Sequence, residues 1–166
     1  DANDFTCNKI EIINYSDNVN LFEIPTIDLI RTFCEYNNDC EILYLHTKGI
    51  THVNTYKYIF IKHWTDMMLY FLVDKCTDCF ELLKTYDTIG CNTMSHPCNH
   101  YSGNFWWANS NYIKSLNRIS DGSFNKYDAE WWLLSNKSVR SYEMHNSKTN
   151  HYHNEYPTDK YILIEN

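Results

Sequence analysis

The 166-residue chain is 43 % apolar and 21 % charged, a balance that excludes disorder and fits one domain spanning residues 1–166 with an ordinary core. Its formal charge of −7 excludes a phosphate-tracking nucleic-acid binder, which needs clustered Lys and Arg. No stretch of about 18 apolar residues occurs, and Asp1-Ala2-Asn3-Asp4 lacks the basic end and apolar run of a signal peptide, so no membrane segment and a cytoplasmic setting are expected.

Lys9 to Asn14 alternates β-branched and polar residues and reads as a strand. Pro25-Thr26 opens a helix that places Ile27, Ile30 and Cys34 on one face and ends at Asn37-Asn38-Asp39. Glu41 to Leu45 is a short apolar run, as expected of a strand covered on both sides. Strand, helix and strand make a βαβ unit with a parallel crossover, and ligands on such sheets bind beyond the carboxyl ends of the strands, where His46-Thr47-Lys48-Gly49 stands. Helical spacing then runs from Tyr56 to about Tyr86, as one helix or as two split near Val73-Asp74, with Trp64, Met67 and Met68 on an aromatic and Met stripe read as core. Gly90 to Asn99 reads as a loop, Asn104 to Ala108 as a strand, Asn109 or Ser110 as the cap of a helix through Leu116, and Asn117 to Phe124 as a loop. Tyr127 to Leu134 reads as a helix. The tail over 140–166 is rich in Asn, His and Tyr, and its last apolar run, Tyr161 to Ile164, fits an edge strand.

Three stretches carry candidate chemistry. His46-x-Lys48-Gly49 pairs an imidazole and an ammonium suited to phosphate oxygens with a glycine that allows close backbone approach. His100 to Ala108 offers a titratable ring, the Ser102 hydroxyl, the flexible Gly103, the Asn104 amide and the Trp106 and Trp107 faces, a mixture that holds polyhydroxylated rings. Glu130, beside Trp131 and Trp132, is a carboxylate that partial desolvation would tune toward a general base. Each has a plainer reading as solvated loop, core strand or first-turn acid.

Seven cysteines, an odd number, cannot all pair within the chain, and reduced thiols in the cytosol are the simpler reading. Cys76-x-x-Cys79 with Cys91 and Cys98 supplies enough ligands for tetrahedral zinc, although the first pair falls on a helix and the second spacing is irregular. His151-x-His153 without carboxylates reads as surface.

Taken together, Leu43 to Gly49 (LYLHTKG), Trp64, Gly90-Cys91-Asn92, His100 to Ala108 (HYSGNFWWA) and Ala129 to Leu133 (AEWWL), with Phe22-Glu23-x-Pro25-Thr26 upstream, resemble a group of glycosyltransferase-like domains of bacteria, algae and large DNA viruses. The resemblance covers about Lys9 to Leu134, and its HYSGNFWWA motif is the most specific part. It implies an α/β, GT-A-like (Rossmann-like) fold, a mostly parallel sheet flanked by helices, in a partial domain lacking its first strands and contained in a longer polypeptide. It also implies transfer of a sugar from a nucleotide-sugar donor to a glycan or glycoprotein acceptor. On that reading Glu130, Lys48 and His46 are catalytic, and His100, Ser102, Gly103, Asn104, Trp106, Trp107 and Gly49 bind substrate. No Asp-x-Asp follows the buried strand, so a divalent metal is left open and no cofactor is assigned beyond the co-substrate. The competing reading is a non-catalytic carbohydrate-binding or interaction module on the same fold, with the zinc staple as an option.

Overall fold

A computed structural model describes residue 11 and residues 18–120 and 125–162. The strand expected over Lys9 to Asn14 lies outside the described residues except for Glu11, as do the last two residues of the expected Tyr161 to Ile164 strand.

Helix α1 spans Ile24–Tyr36 with Pro25 in its first turn, where a missing N–H loses no hydrogen bond and φ is already helical. It buries Ile24, Ile27 and Cys34, and it stops at Asn37, whose backbone and side-chain N–H groups both donate to the Phe33 carbonyl. Strand β1 is Glu41–Tyr44. The long helical stretch is divided, as α2 (Tyr58–Leu69), a π turn (Tyr70–Asp74) and α3 (Cys76–Leu83), and the break falls at the Val73-Asp74 position read from the sequence. Then follow β2 (Thr88–Cys91), the short strands β3 (Thr93–Met94) and β4 (His100–Tyr101), β5 (Trp106–Asn109), and the short helices α4 (Ser110–Ile113) and α5 (Asp128–Trp131). Strand β6 is Ser141–His145.

The domain is mixed α/β, with a four-stranded sheet in the order β1-β5-β2-β6 and a separate β3-β4 hairpin. Strand β5 is antiparallel to both β1 and β2, whereas β2 and β6 are parallel. The expectation of a mostly parallel sheet is therefore corrected: two of the three described pairings are antiparallel. The cause is the connection from β2 to β5, which carries the β3-β4 hairpin instead of the helical crossover that a parallel neighbour requires.

Three smaller expectations also change. Gly90 and Cys91 belong to β2, so the loop after it starts later than the sequence indicated. Helix α5 is only four residues long, because after Trp131 the chain turns. Tyr161 and Ile162 are not in a strand, and the tail contributes β6 instead.

Side chains alternate across β5 and divide the core in two. Trp106 and Ala108 join Ile24, Ile27, Tyr44, Ile113 and Leu133 under α1, while Trp107 packs with Trp64, Met67, Leu72 and Ile89 under α2 and α3. Each layer covers one sheet face, which leaves the strand ends as the place for ligands.

Candidate functional site

Because β5 runs against its neighbours, its beginning lies at the same edge as the ends of β1, β2 and β6: Tyr44 and Gly90 both face Trp106, and Cys91 faces His145. Residues 45–49, 102–105 and 146–152 are thereby delivered to one edge, together with Glu23 ahead of α1 and Glu130 on α5.

His46 is held from both sides. Its Nδ1 lies 3.1 Å from Glu23 Oε1 and its Nε2 lies 3.1 Å from the Gly103 carbonyl oxygen, with Tyr44 stacked on the ring and Phe105 edge-on to it. The other Glu23 oxygen accepts the Asn104 amide N–H at 2.8 Å, and Asn104 Oδ1 accepts the indole N–H of Trp106 at 3.0 Å. Asn104 takes this position with φ +56°, a left-handed conformation that Asn tolerates better than most residues. Burial, followed by Glu23, pushes the Tyr44 phenol well above its ordinary range, so it remains a neutral hydroxyl.

Gly103 joins the two halves of the site. Its amide N–H donates to Glu130 Oε1 at 3.3 Å while its carbonyl faces His46. Its φ of +98° and the 2.7 Å that would separate an added Cβ from Met68 Sδ leave room for glycine alone.

The Lys48 ammonium lies 3.9 Å from the centroid of the Trp64 ring, a cation–π contact. Burial holds its pKa below the usual lysine value, and Glu130 and Glu23 pull it back upward. Both carboxylates thus act on Lys48, and Gly103, from the second stretch, contacts both Glu130 of the third and His46 of the first.

Beside them is a cavity of about 480 Å³, within the range of about 300–1,000 Å³ usual for small-molecule sites, whose walls include Trp64, Asn92, Ser102, Lys148, His151 and Tyr152. Tyr152 connects it to the charged group, since Glu130 contributes, after burial, to raising the Tyr152 phenol. His151 is 4 % exposed and stacks on Trp64 with ring centroids 5.2 Å apart and planes 6° from parallel. Burial, and then His145 and Lys48, hold its imidazole down to about 4, so it is neutral at physiological pH.

The remaining predicted site residues take other places. Trp106 and Trp107 are 1 % and 8 % exposed, and their N–H groups end on Asn104 and on the Leu72 carbonyl, so both rings are spent inside the core and neither offers a face to a sugar. The close approach at Gly49, φ +78°, is to Ile61, 2.4 Å from where a Cβ would stand, and its missing side chain serves packing against α2. His100 is buried in β4, with Nδ1 2.8 Å from the Cys98 carbonyl, and Ser102 lies in the cavity wall, its backbone N–H on the Asn92 carbonyl.

The zinc option is not supported. Cys79 and Cys91 are buried and Cys98 is exposed, and no group of three His, Cys, Asp or Glu among the described residues is placed to hold a metal. Burial pushes the Cys79 thiol up to about 12 and that of Cys91 further, against the thiolate form that binds zinc.

Sequence reasoning read His151 as surface, whereas it is buried, and Glu23 entered only through a motif; Trp64 is core, as read, and also walls the cavity. Nothing local marks His151 or Glu23, because His151 is stacked on Trp64 and Glu23 meets His46, both distant in the chain.

These features define a mixed α/β domain with an aromatic and amide-lined cleft, flanked by an acid and a lysine, at one sheet edge. The chain belongs to the family described as "Domain of unknown function (DUF8361)", whose profile matches residues 1–151. No curated protein and no solved structure matches it. No helix among the described residues is long and apolar enough to cross a membrane.

Proposed function

We propose that this domain is a GT-A-like glycosyltransferase that moves a sugar from a nucleotide-sugar donor to a glycan or glycoprotein acceptor. The observation that carries the reading is the placement of Lys48 within the fields of Glu130 and Glu23, beside a cavity of monosaccharide size walled by Trp64 and Tyr152. The exposed Tyr152 ring is of the kind that stacks on the C–H surfaces of sugar rings, whereas the Trp64 ring is already covered by His151 and Lys48.

The reaction is a direct displacement at the anomeric carbon. The acceptor oxygen forms the new bond as the bond from carbon to the diphosphate breaks; Glu130 takes the acceptor proton through the oxygen not engaged by Gly103, and Lys48 balances the charge that develops on the diphosphate. His46, fixed between Glu23 and Gly103, positions this group. The reading assigns no cofactor beyond the co-substrate, and the free thiols of Cys34, Cys40, Cys76, Cys79, Cys91 and Cys98 support a reducing, cytoplasmic setting.

A panel of nucleotide-sugars assayed for transfer and for donor hydrolysis tests it. Turnover with one donor that falls with both Lys48→Ala and Glu130→Gln supports the assignment, and full activity in both variants overturns it.

One observation favours a second reading, a non-catalytic carbohydrate-binding module: the cavity walls hold amides, hydroxyls, aromatic rings and Lys148 but no carboxylate. Thermal shift separates the two, since nucleoside diphosphates raise the melting temperature of a transferase and free glycans alone raise that of a binding module.

A further inference from the structure

Beyond Gly49 the chain winds toward α2 in steps of three residues. Ile50–His52 is a 3-10 helix, the His52 N–H donates to the Gly49 carbonyl at 2.8 Å, the Thr55 N–H to the His52 carbonyl at 2.9 Å, and the Tyr58 N–H to the Thr55 carbonyl at 3.1 Å. Winding of this kind brings every third side chain to one side. Ile50, Val53, Tyr56 and Ile59 fall at that spacing, and they are 68, 52, 74 and 40 % exposed. Thr51, Asn54 and Thr55 between them are exposed too, so the segment is a ridge rather than a groove. Its base is fixed, with Gly49 against Ile61 and Lys48 over Trp64.

Single exposed apolar residues are ordinary, but four in line on one ridge mark an interaction surface. Its charge identifies the partner. The chain carries 21 acidic residues and a net charge of −7, yet no Asp or Glu occurs from residue 42 to residue 65, where Lys48, Lys57 and Lys62 are the formal charges. Lys57 stands just before α2, and Lys62, one turn into it, is half exposed. An anionic surface repels the acidic remainder of the chain and accepts this segment, where no carboxylate is carried against it. A ridge of four side chains falls short of the roughly 800 Å² that each partner of a stable protein complex buries. In a bilayer, by contrast, apolar side chains enter the acyl boundary, tyrosine rings settle at the headgroup level, and lysines reach the phosphates.

We propose that the ridge of Ile50, Val53, Tyr56 and Ile59, flanked by Lys57 and Lys62, is a docking surface for an anionic lipid bilayer. The domain lies on the membrane and does not cross it. Because the ridge follows Lys48 and Gly49 directly, docking holds the candidate site next to the lipid surface. The claim rests on exposure and charge alone, so an absence of sugar transfer does not affect it, and its own failure leaves the transferase reading to the activity assay.

The test is flotation of the full chain with vesicles of phosphatidylcholine alone and with vesicles that also contain phosphatidylserine. Association with the phosphatidylserine vesicles is expected, less with phosphatidylcholine alone, and it should weaken as salt rises. The double variant Ile50→Ser with Val53→Ser should lower partitioning about tenfold or more, since two apolar side chains no longer leave water. Tyr56→Glu places a carboxylate on the ridge and should lower it from a second position, so a folding defect in the double variant, visible in its melting curve, does not decide the outcome. Lys57→Gln should weaken binding to the phosphatidylserine vesicles by about fivefold and leave phosphatidylcholine unchanged, as for one basic residue near an anionic surface. The proposal is overturned if the wild type floats with neither vesicle, or if the double variant and Tyr56→Glu float as the wild type does. It is equally overturned if the protein alone sediments as a dimer that Tyr56→Glu dissociates, which would assign the ridge to a second copy of the chain.

Discussion

The carboxylate of Glu23 stands 3.1 Å from His46 Nδ1 while its second oxygen accepts the Asn104 side chain, so one residue ahead of α1 fixes both the loop after β1 and the turn before β5. Glu23→Gln replaces one of these acceptor oxygens by an NH2 that opposes either the imidazole or the Asn104 amide. A loss of about 1–3 kcal/mol of stability is expected, since buried polar groups are left unsatisfied, and chemical denaturation measures it. Transfer activity should fall with it, because His46 and Asn104 lose their common anchor.

Gly103→Ala introduces a Cβ 2.7 Å from Met68 Sδ and 3.0 Å from Trp64 Cζ2 at a φ of +98°. Backbone strain and overpacking together are expected to destabilise the domain by about 2–5 kcal/mol. A melting curve shows this directly, and an unchanged melting temperature would mean that the turn is not built as described.

Glu130→Gln keeps an oxygen for the Gly103 N–H, so stability should be retained while turnover drops by about 10²–10⁴-fold through loss of the general base. Lys48→Ala removes the cation from the Trp64 face and is expected to lower turnover by about 10²–10³-fold, as for the loss of one group that stabilises developing charge. Equal losses of stability and activity in Glu130→Gln would instead make the carboxylate a structural clamp.

His151 gives a pH signature. Its folded pKa of about 4 lies below the ordinary value of 6.5, with His145 and Lys48 as the charged neighbours that add to burial. Between these two values the unfolded chain binds a proton that the folded chain does not, so stability falls as the pH drops from 6.5 toward 4, by on the order of 3 kcal/mol. Melting temperatures across this window should decline in the wild type and decline less in His151→Phe. A residual slope should remain, because burial also holds the His145 imidazole below its usual value.

Trp106→Phe separates packing from ligand contact. The indole is 1 % exposed and tied to Asn104, so the substitution should reduce stability by about 1–3 kcal/mol, chiefly through the lost hydrogen bond, as denaturation would show. A reduced glycan affinity at unchanged stability would place the ring in a binding site instead.

The elements that the sequence made legible are those governed by local rules. Pro25 and Asn37 bound α1, the apolar run at Glu41–Tyr44 gives β1, and the interruption at Val73-Asp74 divides α2 from α3. Pairing direction was not legible, because whether β5 lies parallel or antiparallel to β1 depends on a return path through the β3-β4 hairpin. Strand β6 escaped notice although Ser-Tyr-Glu-Met-His alternates polar and apolar residues: the run is short, it lies in an Asn-, His- and Tyr-rich tail, and its ladder is with β2, about 50 residues earlier. In the candidate site, His46, Lys48, Gly103, Asn104 and Glu130 were identified by residue type and motif. Trp106 and Trp107 misled, since an aromatic ring serves a core or a ligand equally well in composition, and only burial separates the two uses.

The late position of β6 in the chain has a consequence for biosynthesis. A ribosome delivers α1, β1, α2 and β5 before the segment over 146–152 that walls the cleft, which directly follows β6 in the chain. A chain cut before Asn146 would carry Lys48 and Glu130 yet lack the Asn92–Ser147–His151 wall of the cleft.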